Sequence, residues 1–130
     1  MPHLYFALDL RDDRTLIAEY EERHRPDKIW PEIVESLHAA GVNELQILRC
    51  GNRLIMVIEA SPEFSIAKLS ELQSANPRVR EWEELMWRFQ LPLPFADVGE
   101  KWVPMRPIFS LREALMVQEA GKPGSGTPRA

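Results

Sequence analysis

The residues best suited to acid–base chemistry lie in one short segment, where Tyr20 and His24 are four positions apart. On a helix this spacing places both side chains on the same face. A histidine with an ordinary pKa of about 6.5 can take up and release a proton near neutral pH. The tyrosine is suited to donating a hydrogen bond or orienting a substrate. The pair indicates a proton-transfer site; the alternative is two partly buried core residues at the end of a helix.

Four tryptophans are a high number for a chain of 130 residues. Core packing is their ordinary role, but an indole ring also has a flat apolar face with an N–H at its edge, which suits stacking on a sugar ring. Trp30 and Trp82 have acidic neighbours, Glu32 and Glu83, that could line a pocket. Most helical carboxylates, however, simply face solvent.

Motifs for nucleotides, phosphate loops, serine nucleophiles and zinc proteases are missing from the sequence, and its histidines and aspartates lack metal-ligand spacing. The single cysteine, Cys50, cannot form an intrachain disulfide or a cysteine-based zinc site. We expect it to be a small core residue. The sequence therefore predicts neither a metal nor a cofactor.

The composition argues against two large classes of partner. Sixteen basic residues against 20 acidic residues give a net charge of −4, without a long basic block, so binding to nucleic acid is not expected. The longest uninterrupted apolar run, residues 54–58, is far too short to cross a bilayer. The first ten residues lack the features of a signal peptide, so we predict a cytoplasmic protein without a membrane partner.

The elements that must position these residues alternate between strands and helices. Strands are predicted over His3–Leu10, residues 43–50 and Arg53–Ala60, with Gly51-Asn52 as the hairpin turn between the last two. Helical patterns lie between and after them: one capped by Asp12 and Asp13 and ended before Pro26, one over residues 31–40 that buries Ile33, Val34 and Leu37, and two over residues 63–74 and 78–90.

The remaining segment is predicted to form a last strand over residues 101–111, a short helix over Leu111–Ala120 and a flexible tail over residues 121–130. Pro104 and Pro107 each lack a backbone donor, which places this strand at an edge, a bulge or a subunit boundary.

The order of elements is βαββαβ with both helical regions split, which predicts an α+β, ferredoxin-like fold with helices on one face of an antiparallel sheet. The other face then needs a cover. A second copy facing that surface provides one, as in dimeric α/β barrels. We therefore predict a homodimer of a single domain spanning residues 1–111, with the short helix and tail of residues 112–130 appended.

Residues 18–33 resemble the signature of the L-rhamnose mutarotase family and its L-fucose mutarotase relatives. In order, they contain Tyr20, three further residues, His24, a polar spacer and the run Ile29-Trp30-Pro31-Glu32. The likeness extends over residues 3–111. The resemblance implies a dimeric α/β barrel and an isomerase that interconverts the α and β anomers of a deoxyhexose without a cofactor. It also implies that His24 is the catalytic acid/base, that Tyr20 contacts the sugar and that Trp82 lines the pocket.

The chain departs from the family pattern around this implied pocket. Leu45 occupies the position of a second tyrosine, and Glu83 stands in place of the second of two adjacent tryptophans. The loss of a phenol and the gain of a carboxylate indicate a sugar with differently placed hydroxyl groups, so the prediction favours L-fucose over L-rhamnose. Together with Tyr20, Trp30 and Trp82, these two residues form the predicted substrate-binding set.

Two other functions remain open on the same fold. A cofactor-free monooxygenase or haem-degrading enzyme would need an apolar pocket for its substrate, and a non-catalytic ligand-binding dimer would need no reactive group. A fold by itself excludes neither. The combination of Tyr20, His24 and Trp30-Pro31-Glu32 favours the mutarotase.

Overall fold

The computed structural model of the protein describes residues 3–121. Its strands are β1 (His3–Leu10), β2 (Val42–Cys50), β3 (Arg53–Ala60), β4 (Gln90–Leu91) and β5 (Val103–Pro104). Its helices are α1 (Arg14–Arg23), α2 (Pro31–Ala39), α3 (Ile66–Ala75), α4 (Pro77–Met86) and α5 (Leu111–Ala120). Within residues 3–121, none of these helices has the length and apolarity needed to cross a membrane.

The strands form one antiparallel sheet in the order β2-β3-β1-β4, and β5 pairs with the same edge of β1 as β4 does. The core lies between one face of this sheet and the helices, with buried residues from β1, β3, α1, α2 and α4 in one apolar cluster. This arrangement confirms the predicted ferredoxin-like α+β fold.

The first half of the chain agrees with its predicted bounds to within one residue at each strand and at α2. The Asp13 side chain accepts a hydrogen bond from the Leu16 N–H at 3.0 Å and so caps α1. Gly41 follows α2 at a φ of +94°, and a Cβ at this position would lie only 2.7 Å from Ser61 Oγ. Only glycine combines that conformation with that close approach.

The buried side of α2 differs from the prediction at one residue. Ile33 is buried and Leu37 half-buried, as expected, but Val34 is 51% exposed. The position facing the core is taken by Ser36, whose hydroxyl donates to the Ile33 carbonyl at 2.9 Å. Residues 33, 36 and 37 share a helix face, whereas residue 34 lies at the margin of that face.

Two helices in the second half have different bounds from those predicted. Helix α3 begins at Ile66 rather than at residue 63, because the Ser65 side chain accepts from the Lys68 N–H and caps the helix there. Helix α4 ends at Met86 rather than at residue 90. Tight hydrogen-bonded turns follow it, which bring Phe89 into the core and Gln90 into the sheet.

The predicted long strand over residues 101–111 is wrong. The edge of β1 is instead paired by β4 at Asp9 and Leu10 and by the two-residue strand β5 at Phe6 and Ala7. Pro104 and Pro107 have no N–H to continue the pairing, which ends with the Met105 N–H donating to the Tyr5 carbonyl at 2.8 Å. Helix α5 follows with its predicted bounds, and the rest of the predicted tail, residues 122–130, lies outside the described residues.

The sheet face opposite the helices is partly exposed in the single chain, although Ala7 and Asp9 of β1 are buried there. Strand alternation places Leu48 and Cys50 on this face, where both are exposed, so the expectation of a core cysteine is wrong. Tyr5 on β1 is also exposed, as are Leu111, Leu115 and Met116 of α5.

Candidate active site

A cavity of about 780 Å³ lies between the helices and the covered face of the sheet. Its volume falls in the usual range of small-molecule sites. Most of its lining is apolar, but polar side chains reach it from four places in the fold: Tyr20 and His24 from α1 and its C-cap, Ser70 and Gln73 from α3, Glu83 from α4, and Gln90 and Lys101 from β4 and the segment before β5.

His24 caps the carboxyl end of α1, and its Nδ1 lies 2.7 Å from the Tyr20 carbonyl oxygen. A carbonyl can only accept, so Nδ1 carries the proton and Nε2 has the free lone pair in the neutral ring. Burial lowers the pKa of His24 below its ordinary value, and the hydrogen bond to the Tyr20 carbonyl opposes this with a smaller effect. His24 is therefore a neutral imidazole with a basic Nε2 at neutral pH.

Tyr20 is buried, and its ring centre lies 4.2 Å from that of His24, so the predicted shared helix face is confirmed. Burial raises the pKa of Tyr20 to about 12; the hydrogen bond with Gln90 acts against this increase, and the nearby charge of Glu83 adds to it. The phenol consequently stays protonated at neutral pH. It can donate a hydrogen bond but does not act as a base.

Trp82 is buried, lines the cavity and meets the His24 ring edge-to-face at 5.3 Å. Trp30 is in a different position, since it does not contribute to the cavity lining. Its ring packs against Trp82 at 5.2 Å, and the guanidinium carbon of Arg78 lies 3.9 Å from its centre. Trp30 therefore supports Trp82 and holds the wall of the cavity in place.

Glu83 lines the cavity as an ion pair. Lys101 Nζ donates to Glu83 Oε2 at 2.6 Å and to the Glu83 carbonyl at 3.1 Å, and it lies 4.7 Å from the centre of the Trp87 ring. The Lys101 side chain is only 12% exposed, whereas that of Glu83 is 42% exposed. The carboxylate can accept hydrogen bonds from hydroxyl groups, and the cation beside it can donate to them.

The structure brings five of the six predicted site residues to one cavity: Leu45 lines it from β2 beside Tyr20, His24, Trp82 and Glu83, and Trp30 is the exception. Trp87 and Trp102, which both line the cavity, were predicted only as members of the set of four tryptophans suited to sugar stacking. Sequence reasoning missed Gln90 and Lys101, because no pattern in the sequence marks either residue. Among residues 3–121, no cluster of three His, Cys, Asp or Glu side chains could hold a metal ion.

Comparison with known proteins finds a family model that matches most of the chain. The model that describes L-rhamnose mutarotase matches residues 3–111. An L-fucose mutarotase from Xanthomonas campestris pv. campestris is 46% identical over 119 residues, which cover 92% of this chain and 95% of that protein. An L-rhamnose mutarotase from Jannaschia sp. is 32% identical over 108 residues, covering 82% of this chain and 96% of the relative.

A solved structure shares the fold. The crystal structure of an L-rhamnose mutarotase from Formosa agariphila superposes with a TM-score of 0.61 at 24% identity, covering 85% of this chain and 99% of that one. At this identity the likeness concerns the fold alone. It agrees with the ferredoxin-like fold described above.

Proposed function

Because this chain belongs to the L-rhamnose mutarotase family, we propose that it interconverts the α and β anomers of a deoxyhexose, with His24 as the acid/base. The observation that carries the proposal is the state of His24. Its Nδ1–H is fixed on the Tyr20 carbonyl, its pKa is lowered by burial, and its ring lines a cavity that also holds the phenol of Tyr20.

The reaction needs only proton transfers. Nε2 of His24 removes the proton of the anomeric hydroxyl, the bond between C1 and the ring oxygen breaks, and the ring oxygen takes up a proton. Both oxygens are bonded to C1, so one imidazole can serve them in turn. The resulting aldehyde rotates about its C1–C2 bond, and the reverse steps close the ring as the other anomer. The sugar is neither oxidised nor reduced.

We further propose L-fucose as a better substrate than L-rhamnose. The relative named an L-fucose mutarotase is more similar to this chain, at 46% identity, than the L-rhamnose mutarotase from Jannaschia sp., at 32%. The cavity supports the same choice. It has apolar Leu45 on β2 and the Glu83–Lys101 ion pair, which present hydrogen-bonding groups different from a tyrosine and a second tryptophan.

We also propose that the active form is a homodimer in which a second copy covers the partly exposed sheet face opposite the helices. Tyr5 and Leu48 are exposed there, and Met105 is exposed where it follows β5. Covering such apolar side chains is favourable. A stable monomer by light scattering at micromolar concentration would contradict this proposal.

The function is tested by saturation-transfer NMR of the anomeric protons of L-fucose, L-rhamnose, D-galactose and other aldoses with purified protein. We expect exchange far above the uncatalysed rate, fastest for L-fucose. Exchange at the uncatalysed rate for every sugar would exclude the proposal. A Soret shift on titration with haem would instead favour the haem-degrading alternative.

A further inference from the structure

Gln90 has an unusual environment for a buried side chain. The residue is 2% exposed and lines the cavity, yet its Oε1 has no hydrogen-bond partner among the described residues. Its Nε2 reaches only the Tyr20 hydroxyl, at a long 3.5 Å. Buried polar groups are bonded in the large majority of cases, and an unsatisfied one reduces stability. The exception therefore calls for an explanation.

The backbone of Gln90 is held firmly. It pairs with Leu10 in the sheet, and the neighbouring Phe89 is fully buried with its carbonyl accepting from the Arg11 N–H at 2.8 Å. A side chain on such a rigid segment is held close to the cavity with little conformational freedom. This is the kind of support that a binding group requires.

The group that fits Gln90 is a hydroxyl. Oε1 of Gln90 can accept a hydrogen bond, and the adjacent Tyr20 phenol can donate one, so together they complement an O–H that both donates and accepts. The opposite orientation of the amide places Oε1 at the Tyr20 hydroxyl and leaves Nε2 without a partner. In that orientation Nε2 can donate a hydrogen bond to a hydroxyl of the sugar. The nearby charges of Glu83 and Lys101 are already paired with each other.

We propose that Gln90 is a substrate-binding and specificity-determining residue, whose carboxamide binds one secondary hydroxyl of the sugar ring beside Tyr20. The inference rests on the mutarotase function proposed above and adds a residue on the edge of β1 to the sugar contacts on α1. It makes the enzyme sensitive to the presence and orientation of that one hydroxyl, because a sugar lacking it leaves the buried amide unpaired.

The test is a coupling experiment with Gln90→Met, which keeps the side-chain length and removes both polar atoms. Exchange is measured by NMR for L-fucose and its analogues lacking the 2-, 3- or 4-hydroxyl, with kcat and KM determined separately. For L-fucose we expect Gln90→Met to raise KM about tenfold, as for one lost hydrogen bond with a buried partner, with little change in kcat. For the one analogue that lacks the hydroxyl bound by Gln90, the substitution should leave KM at the value of the wild-type protein on that analogue.

Two controls separate binding from structure. Gln118→Met makes the same change at an exposed position of α5 and should leave KM unchanged. The thermal unfolding midpoint of Gln90→Met should stay close to that of the wild type, because the variant removes an unsatisfied buried atom together with the long 3.5 Å hydrogen bond to the Tyr20 hydroxyl.

Three results would overturn the inference. Unfolding or clear destabilisation of Gln90→Met would show a structural role. Unchanged KM for L-fucose, or an equal loss for L-fucose and all three analogues, would show that no sugar hydroxyl meets the amide. Failure of the proposed function is recognised separately, because the wild-type protein would then exchange no sugar, which overturns both proposals together.

Discussion

Two of the walls of the cavity have very different construction. The α1 wall consists of Tyr20 and His24 on a capped helix that follows the central strand β1 directly. The β1-edge wall consists of Gln90 on β4 and Lys101 before β5, two short segments that pair with the same strand edge. The proposed acid/base lies on the regular element, and groups suited to recognising hydroxyls lie on the irregular one. Irregular segments vary more readily than the elements they connect, so this division lets substrate choice change without disturbing the chemistry.

The largest effect is expected on the α1 wall, for His24→Gln. Glutamine keeps the ability to form hydrogen bonds but cannot take up a proton, so we expect kcat to fall by about 10²–10⁴-fold, the usual range for general acid–base catalysis. Saturation-transfer NMR measures the loss, and circular dichroism should show unchanged secondary structure. Wild-type exchange by His24→Gln would show that proton transfer does not depend on this wall.

The pH dependence of catalysis distinguishes the two walls next. Because burial lowers the pKa of His24 below 6.5, kcat/KM should be level at neutral pH and fall only as the pH drops through this lowered value. A profile measured on L-fucose from pH 4 to 8 checks this. A variant of the β1-edge wall such as Gln90→Met should show the inflection of kcat/KM at the same pH as the wild type. A shifted inflection in Gln90→Met would contradict the division between the walls.

The same pKa shift affects stability in a defined direction. The folded-state pKa of His24 is lower than its unfolded value, so the unfolded chain binds more protons between the two values. The contribution of the neutral imidazole is therefore fully present above about pH 6.5 and is lost as the pH falls through the folded-state pKa. The free energy of unfolding of the wild type, measured with urea, should decrease more over this pH window than that of His24→Gln.

The two walls also differ in how far the sequence predicted them. The four-residue spacing of Tyr20 and His24 is a helical signal that does not depend on the rest of the fold, and it placed both residues correctly. The position of Gln90 depends on where α4 ends and on an edge that β4 and β5 share, and a strand of two residues has no periodicity to detect. The expectation of one long strand failed for the same reason.

Some of the other predictions from the sequence are confirmed, and some stay predictions. The fold and family are confirmed by the sheet order and by the family match over residues 3–111. The sugar-binding roles of Leu45, Trp82 and Glu83 stay predictions, as do the domain boundary at residue 111 and the cytoplasmic location. The sugar-binding role of Trp30 is replaced here by the support that its ring gives to Trp82.

A moderate effect is expected on the β1-edge wall for Lys101→Met. The variant leaves the Glu83 carboxylate without its 2.6 Å partner in a partly buried site, which should lower the free energy of unfolding by about 1–2 kcal/mol. Urea unfolding measures this loss. Glu83→Gln combined with Lys101→Met should recover part of it, because no charge is then left unpaired. Strictly additive losses would show that the pair is not coupled.

The smallest effect is expected where the two walls meet, for Tyr20→Phe. Phenylalanine keeps the ring packing on His24 and on Phe89 at 6.0 Å, so stability should fall only by the loss of the long 3.5 Å hydrogen bond from Gln90 Nε2. The lost O–H removes one donor to the sugar, worth about fivefold in kcat/KM.

If Tyr20 and Gln90 bind the same hydroxyl, combining Tyr20→Phe with Gln90→Met should lower kcat/KM by less than the product of the two single losses, since each variant already weakens the same contact. NMR exchange rates for the four proteins on L-fucose measure this coupling. A fully multiplicative loss would mean that the α1 wall and the β1-edge wall contact different parts of the sugar.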